Sequence, residues 1–215
     1  MRNSGVSPEC KTHSRQTVKS SQATTERVQG LRFNYWKQVK KVDMENLVFI
    51  DEMGANLALA RRYARSLQGT RAYSQQPFYP GQHLSLIGAI ALKGFIGGMT
   101  LEGGINGIAF QVFLDKVLLP QLWPGACVVM DNLPAHKVKG VQEKIQSVGA
   151  SLIYLSPYSP DFNPIENCWS KLKAYLRKVA ARSRETLEKA ISFGLDLITE
   201  CDIRNWFAHC CYCTS

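Results

Sequence analysis

Residues 127–173 read CVVMDNLPAHKVKGVQEKIQSVGASLIYLSPYSPDFNPIENCWSKLK. Cys127–Met130 is an unbroken apolar run, the pattern of a buried strand, and it ends on Asp131. Val138–Val148 has helical spacing and stops at Gly149, a residue suited to a helix C-terminus. Leu152–Leu155 returns as a second strand, and Ser156–Asn163 is a Pro-rich loop. Pro164–Ala181 is then a helix, with Asn163 as N-cap and Pro164 at the first helical position, where its missing N–H costs nothing. Ile165, Trp169, Leu172 and Leu176 form its apolar stripe. The stretch therefore reads as strand, helix, strand, loop, helix.

Upstream, Leu47-Val48-Phe49-Ile50 is another short apolar run, ending on Asp51. His83–Leu92 and Gly94–Leu101 read as two more strands, punctuated by Gly97-Gly98 and Gly103-Gly104. Asn106 can cap a helix whose apolar positions are Phe110, Phe113, Leu114, Val117 and Leu118 and which stops at Pro120. A last helix spans about Arg184–Glu200, ahead of a Cys-rich tail. Three strands, then helix, strand, helix, strand and two helices predict an α/β fold: a mixed sheet with helices packed against it.

Three acidic residues occupy unusual places. Asp51 and Asp131 each follow directly on a buried strand, at the carboxyl edge where α/β sheets hold ligands. Glu166 lies in the first turn of a helix that starts soon after the last strand. If the first and fourth strands are neighbours, the three carboxylates converge. Two divalent ions about 3.5–4 Å apart serve phosphodiester hydrolysis and transfer, one at the attacking oxygen and one at the leaving oxygen. Two Asp and one Glu from separate elements are the minimum that holds such a pair, and Mg²⁺ prefers carboxylate oxygen. Singly, each residue has a plainer reading. Asp51 and Asp131 suit turns, and Glu166 suits a capping box with Asn163.

The chain has 215 residues, 45% of them apolar, enough for one domain with a sizeable core and some appended chain. Its net charge of +9 favours polyanionic partners. Residues 1–42 carry nine Lys or Arg against two Glu, and read as a basic arm or linker with a short helix near Val28–Val42. Residues 43–200 then form the folded domain and residues 201–215 a Cys-rich tail. No apolar run reaches the ~18 residues of a membrane span and the first thirty residues lack a secretory signal, so a cytoplasmic, nucleoid-associated location without membrane contact is expected. Seven cysteines without such a signal read as reduced thiols.

FIDE (Phe49–Glu52), VVMDNLPAHK (Val128–Lys137) and YLSPYSPDFNPIENCWSKLK (Tyr154–Lys173) resemble the catalytic blocks of mariner-like bacterial insertion-sequence transposases of the DDE superfamily. Thirty-four residues separate Asp131 from Glu166, the spacing characteristic of that group. The similarity covers about residues 45–210, including the closing RNWFAHC (Arg204–Cys210). The resemblance implies a ribonuclease H-like (retroviral-integrase-like) fold, a five-stranded mixed sheet flanked by helices. It implies that Asp51, Asp131 and Glu166 are catalytic and hold two Mg²⁺ or Mn²⁺ ions. The implied chemistry is nicking at transposon ends, followed by attack of the freed 3′-hydroxyl on target DNA. The implied partners are double-stranded DNA and further copies of the chain. Such transposases carry an N-terminal helix-turn-helix region, for which about 45 residues leave too little room, so the expectation is a catalytic half: either a truncated copy or one product of a split reading frame whose recognition half is separately encoded. The alternative is a non-catalytic DNA-binding or assembly relic of a transposase.

Lys171, Lys173, Arg177 and Lys178 on the Glu166 helix are candidate contacts to the DNA backbone, which would position DNA without reading its sequence. Asn132 and His136, close behind Asp131, are further nucleic-acid candidates. Glu52 is left out of the site, because on a continuing strand its side chain points away from Asp51.

Overall fold

The computed structural model describes residues 21–212 apart from Arg62, Ser74, Gln76, Pro80 and Gln82. Five strands form one sheet: β1 (Leu47–Asn56), β2 (His83–Ala91), β3 (Gly94–Glu102), β4 (Cys127–Met130) and β5 (Ser151–Tyr154). Their spatial order is β3-β2-β1-β4-β5. The pairs β1–β2 and β2–β3 are antiparallel, whereas β1–β4 and β4–β5 are parallel. This is the five-stranded mixed sheet of a ribonuclease H-like fold. The central strand β1 and its parallel neighbour β4 both carry unbroken apolar runs, because both of their faces are covered.

The helices are α1 (Glu26–Val39), α2 (Gly107–Phe113), α3 (Val141–Ser147), α4 (Ile165–Val179), α5 (Arg184–Asp196) and α6 (Glu200–His209). On one face of the sheet Phe49, Cys127 and Val129 meet Tyr35 of α1, Trp169, Leu172 and Leu176 of α4, Ile191 of α5 and Phe207 of α6. On the other face Val48, Ile50, Val128 and Met130 meet Phe110 and Phe113 of α2 and Ile145 of α3. Alternate residues of β1 and β4 thus feed two separate cores, as the period of two requires.

Several sequence expectations are sharpened. Asn106 caps α2, its side chain accepting from the Ala109 amide. Regular helix ends at Phe113, continues as a π turn over Leu114–Leu118, and closes as a 3-10 turn that contains Pro120. The last helix is two helices, broken between Asp196 and Glu200, and the second is started by a capping box of Thr199 and Asp202. The tail expected from residue 201 is therefore in large part α6, because Ile203, Phe207 and Cys210 are apolar side chains at helical spacing and are buried. Residues 213–215 lie outside the described residues. The arm is likewise more ordered than its charge suggests. Val28, Tyr35 and Val39 bury one face of α1 against the domain, and residues 1–20 lie outside the described residues.

β1 runs on past Asp51 to Asn56, six residues beyond its apolar run. Opposite it Gly88 of β2 pairs with Asp51. A Cβ there would sit 2.6 Å from Trp169 Cη2, so glycine is what lets the indole reach across the sheet to Asp51.

Candidate active site

Phe49 of β1 pairs with Val129 of β4, and two residues further along each strand stand Asp51 and Asp131. Glu166 enters from the first turn of α4. All three line one cleft of about 590 Å³, together with Arg27, Asn132, Tyr158 and Asn163. The structure thus brings the three carboxylates together in one cleft.

Asp51 is buried, and its Oδ2 accepts a hydrogen bond from Trp169 Nε1 at 3.0 Å. Burial, with the nearby Glu166 carboxylate and, less strongly, Glu52 and Asp131, pushes its carboxyl up to about 8. Burial also raises Glu166, opposed by Lys173 and reinforced by Asp131. Asp131 goes the other way. Burial acts to raise it, but His136 and the Leu133 amide, which donates to Oδ1 at 3.0 Å, outweigh that and hold it below the usual carboxylate range.

His136 is the main departure from the sequence reading. It is fully buried and its ring lies tilted against Phe110, 4.4 Å between ring centres, so it presents no surface to a phosphate. Its Nε2 lies 2.6 Å from Glu52 Oε1. Its Nδ1 stands 2.8 Å from Asp131 Oδ1, close enough for an ion pair but out of line for a hydrogen bond. Burial alone would lower the imidazolium, yet Asp131 and Glu52 take it to about 9. Glu52 does leave the face of β1 that bears Asp51, as expected. It returns to the site through His136, forming a chain Glu52–His136–Asp131. Nothing in the period of a strand reveals that, since it depends on a side chain eighty-four residues away.

The other candidates divide. Asn132 lines the cleft and donates from Nδ2 to the Leu155 carbonyl, tying the end of β4 to the chain that follows β5. On α4, Lys173 and Arg177 share the face of Glu166 at spacings of seven and eleven residues. Lys171 does not: its ammonium pairs with Asp202 and bonds the Leu197 carbonyl, so it joins α4 to α6. Lys178 is exposed on the Lys171 side. The basic run is therefore two faces rather than one stripe.

Asn163 has the extended backbone of an N-cap, but its side chain caps nothing. Glu166 N bonds the Asn163 carbonyl at 3.1 Å, and Asn163 Oδ1 is buried without a partner. The capping-box reading of Glu166 is therefore excluded, and Glu166 is left facing the cleft. In the same loop Tyr158, half-exposed at the cleft mouth, holds a φ of 55°, a left-handed conformation that costs a non-glycine residue of order 1 kcal/mol.

Among the described residues no three His, Cys, Asp or Glu side chains are drawn together into a ready-made metal cage. The donor chemistry nevertheless fits a hard divalent cation. The acidic groups facing the cleft offer only oxygen, burial with their mutual repulsion raises Asp51 and Glu166, and an unpartnered amide oxygen is buried beside them. Asp51, Asp131 and Glu166 are the residues that would hold Mg²⁺ or Mn²⁺.

The electrostatics predict a pH dependence for the metal-free protein. Asp51 keeps a proton in the folded state up to about 8 that the unfolded chain has released, so its effect on stability worsens as pH rises toward that value. His136 is charged in the fold up to about 9, and the stability it contributes is complete below its unfolded value and lost as pH rises through 9. The Asp131 contribution is already complete at neutral pH. Both changing groups act in one direction between pH 6.5 and 8, each by at most about 1.4 kcal/mol per pH unit. Calorimetry in chelator is expected to show Tm falling across this window, less steeply in Asp51→Asn. A flat or rising Tm would contradict the placement of both groups.

The fold and site define a ribonuclease H-like protein with an acidic cleft between the middle of its central strand, β1, and the carboxyl end of its parallel neighbour, β4. The family model described as DDE superfamily endonuclease matches residues 46–188, and the chain belongs to that family. Among solved structures it is similar to the Mos1 transposase paired-end complex with left transposon end, at 17% identity and a TM-score of 0.76, covering 93% of this chain and 64% of that one. It is also similar to the Mos1 mariner paired-end complex with Mn, at 17% identity and a TM-score of 0.71, over 93% and 64% of the two chains. The Mos1 transposase catalytic domain with Raltegravir and Mg matches at 14% identity and a TM-score of 0.62, over 90% of this chain and 94% of that one. At such identities the likeness is one of fold. The chain spans about two thirds of the paired-end transposase chains, just 64%. No curated protein matches the sequence. Among the described residues no helix is long and apolar enough to cross a membrane.

Proposed function

We propose that the chain is the catalytic domain of a DNA transposase, which nicks transposon ends and then joins the freed 3′-hydroxyl to target DNA. The observation that carries this reading is the meeting of Asp51, Asp131 and Glu166 in one cleft of a DDE-family fold. Two divalent ions, Mg²⁺ or Mn²⁺, would supply activation of the attacking oxygen and neutralisation of the leaving one. The chain's own residues do the rest. Asp51, fixed by Trp169, and Asp131, fixed by His136 and the Leu133 amide, present oxygens from adjacent strands. Glu166 supplies a third from a separate element, on a helix whose N-terminal dipole favours its charge. Lys173 and Arg177, on the same face of α4, are placed to steady the DNA backbone without reading sequence. Transposon-end and target duplexes and a second copy of the chain are the partners this reading calls for.

The test is nicking of a transposon-end duplex by the full chain, with and without a recognition half, in Mn²⁺, Mg²⁺ or chelator. Metal-dependent cleavage lost in Asp131→Ala is the expected result. Cleavage that persists in chelator or in Asp131→Ala would overturn the site. Salt-sensitive DNA binding with no cleavage under any of these conditions would leave a DNA-binding relic instead.

A further inference from the structure

Arg27 stands in the first turn of α1, exposed, and lines the same cleft as the three carboxylates. It is the only basic residue among the described residues that do so. No hydrogen bond or ion pair to a described residue holds its guanidinium, so it is not the counter-ion of the carboxylates. The helix that carries it is fastened down. Val28 is fully buried, and Arg32 forks onto the Asp161 carboxylate at 2.6 and 3.0 Å, bonds Ser159 Oγ at 2.8 Å and lies 3.8 Å over the Phe162 ring. Those partners belong to the loop that leads into Asn163 and Glu166. The element that holds Arg27 is thus tied to the wall of the cleft itself.

A nucleic-acid strand entering an acidic cleft brings a phosphate at every nucleotide. The carboxylates and the cations they hold serve the phosphodiester that reacts. Its neighbours along the strand meet the same negative wall and need a cation of their own. A planar guanidinium with five donors suits a phosphate, and a fixed helix spares part of the entropy of placing it.

Resting on the transposase reading above, we propose that Arg27 binds a backbone phosphate next to the one that is cut, making α1 part of the DNA-binding site. The test uses the full chain and a transposon-end duplex. Binding is measured in chelator over a salt series, and nicking in Mn²⁺. Arg27→Ala is expected to weaken binding about tenfold and to reduce the salt slope by about one, as loss of a single phosphate contact should. KM should rise while kcat holds, and Arg27→Lys should recover most of the salt slope. Lys116→Ala removes an equal charge from the helix layer on the other face and should change neither. In duplexes carrying one neutral methylphosphonate, the position that weakens the wild type but not Arg27→Ala should lie within about two nucleotides of the nick. If the wild type nicks DNA and Arg27→Ala matches it in salt slope and KM, the proposal fails and the transposase reading stands. The proposal also fails if the sensitive phosphate lies farther away. If the wild type neither binds nor nicks any duplex, both readings fall together.

Discussion

Asp51→Asn is expected to abolish metal-dependent nicking while leaving the metal-free fold as stable as the wild type, or more so. The two halves of this result have one cause. Asp51 is buried midway along β1, near the Glu166 carboxylate, so its carboxyl is pushed up to about 8 and carries a proton at neutral pH when no cation is present. An amide of the same shape imitates that protonated state. Its oxygen can still accept from Trp169 Nε1, so the packing of the indole against β2 is kept. A cation changes the comparison. It binds the charged carboxylate, and an amide offers it a far weaker ligand. Metal-ion catalysis contributes several kcal/mol to transition-state stabilisation, so losing one ligand should lower kcat by about a thousandfold or more. Stability follows from melting in chelator and affinity from Mn²⁺ calorimetry. The wild type should gain Tm on adding Mn²⁺, and Asp51→Asn should gain almost none. A variant that nicks DNA within tenfold of the wild type would remove Asp51 from the site. A variant that melts far below the wild type in chelator would show that its carboxylate is ionised and structurally needed.

The three carboxylates were legible in the sequence because each is marked locally. Asp51 and Asp131 interrupt apolar runs, and Glu166 follows Asn163-Pro164 at the start of an amphipathic helix. The close of an apolar run and the start of a helix can be seen in a few neighbouring residues. The supports of the site could not be seen that way. Trp169 reads as one more member of the apolar stripe of α4, and its N–H finds Asp51 only because Gly88 lets it cross β2. Arg27 sits in a basic, Ser- and Thr-rich stretch whose composition suggests a loose arm. Its place over the cleft depends on Val28, Arg32 and Tyr35, whose partners lie far along the chain. α6 was hidden for a different reason: the cysteines around it made the segment read as a Cys-rich tail, whereas Ile203 and Phe207 are what set its fold. Local sequence marked the three carboxylates, and long-range packing decided what holds them.

The relay behind Asp131 is the clearest case, and its loss should be felt in two measurements at once. His136 is fully buried between two carboxylates, and Glu52 Oε1 is the one it reaches at 2.6 Å. Glu52→Ala leaves a buried ring nitrogen without its acceptor and an imidazolium with half its counter-charge. Removing one partner of a buried pair costs about 3–5 kcal/mol. At about 2–4 °C per kcal/mol for a chain of this size, the expected fall in Tm is roughly 6–20 °C. Glu52→Gln keeps an acceptor of the same shape and loses only the charge, so its fall should be smaller. The second effect separates support of the site from support of the fold. His136 holds Asp131 from behind, and a carboxylate whose support is weakened should bind a divalent cation about 10–100-fold less tightly. Mn²⁺ affinity of folded Glu52→Gln, taken well below its melting point, reads this directly, because the protein is intact when the metal is added. The imidazolium should also lose its proton at lower pH than in the wild type, which the His136 ring signals report by NMR. Unchanged Mn²⁺ affinity in Glu52→Gln, together with an unchanged His136 titration, would reduce the chain Glu52–His136–Asp131 to a packing feature with no bearing on the carboxylate it touches.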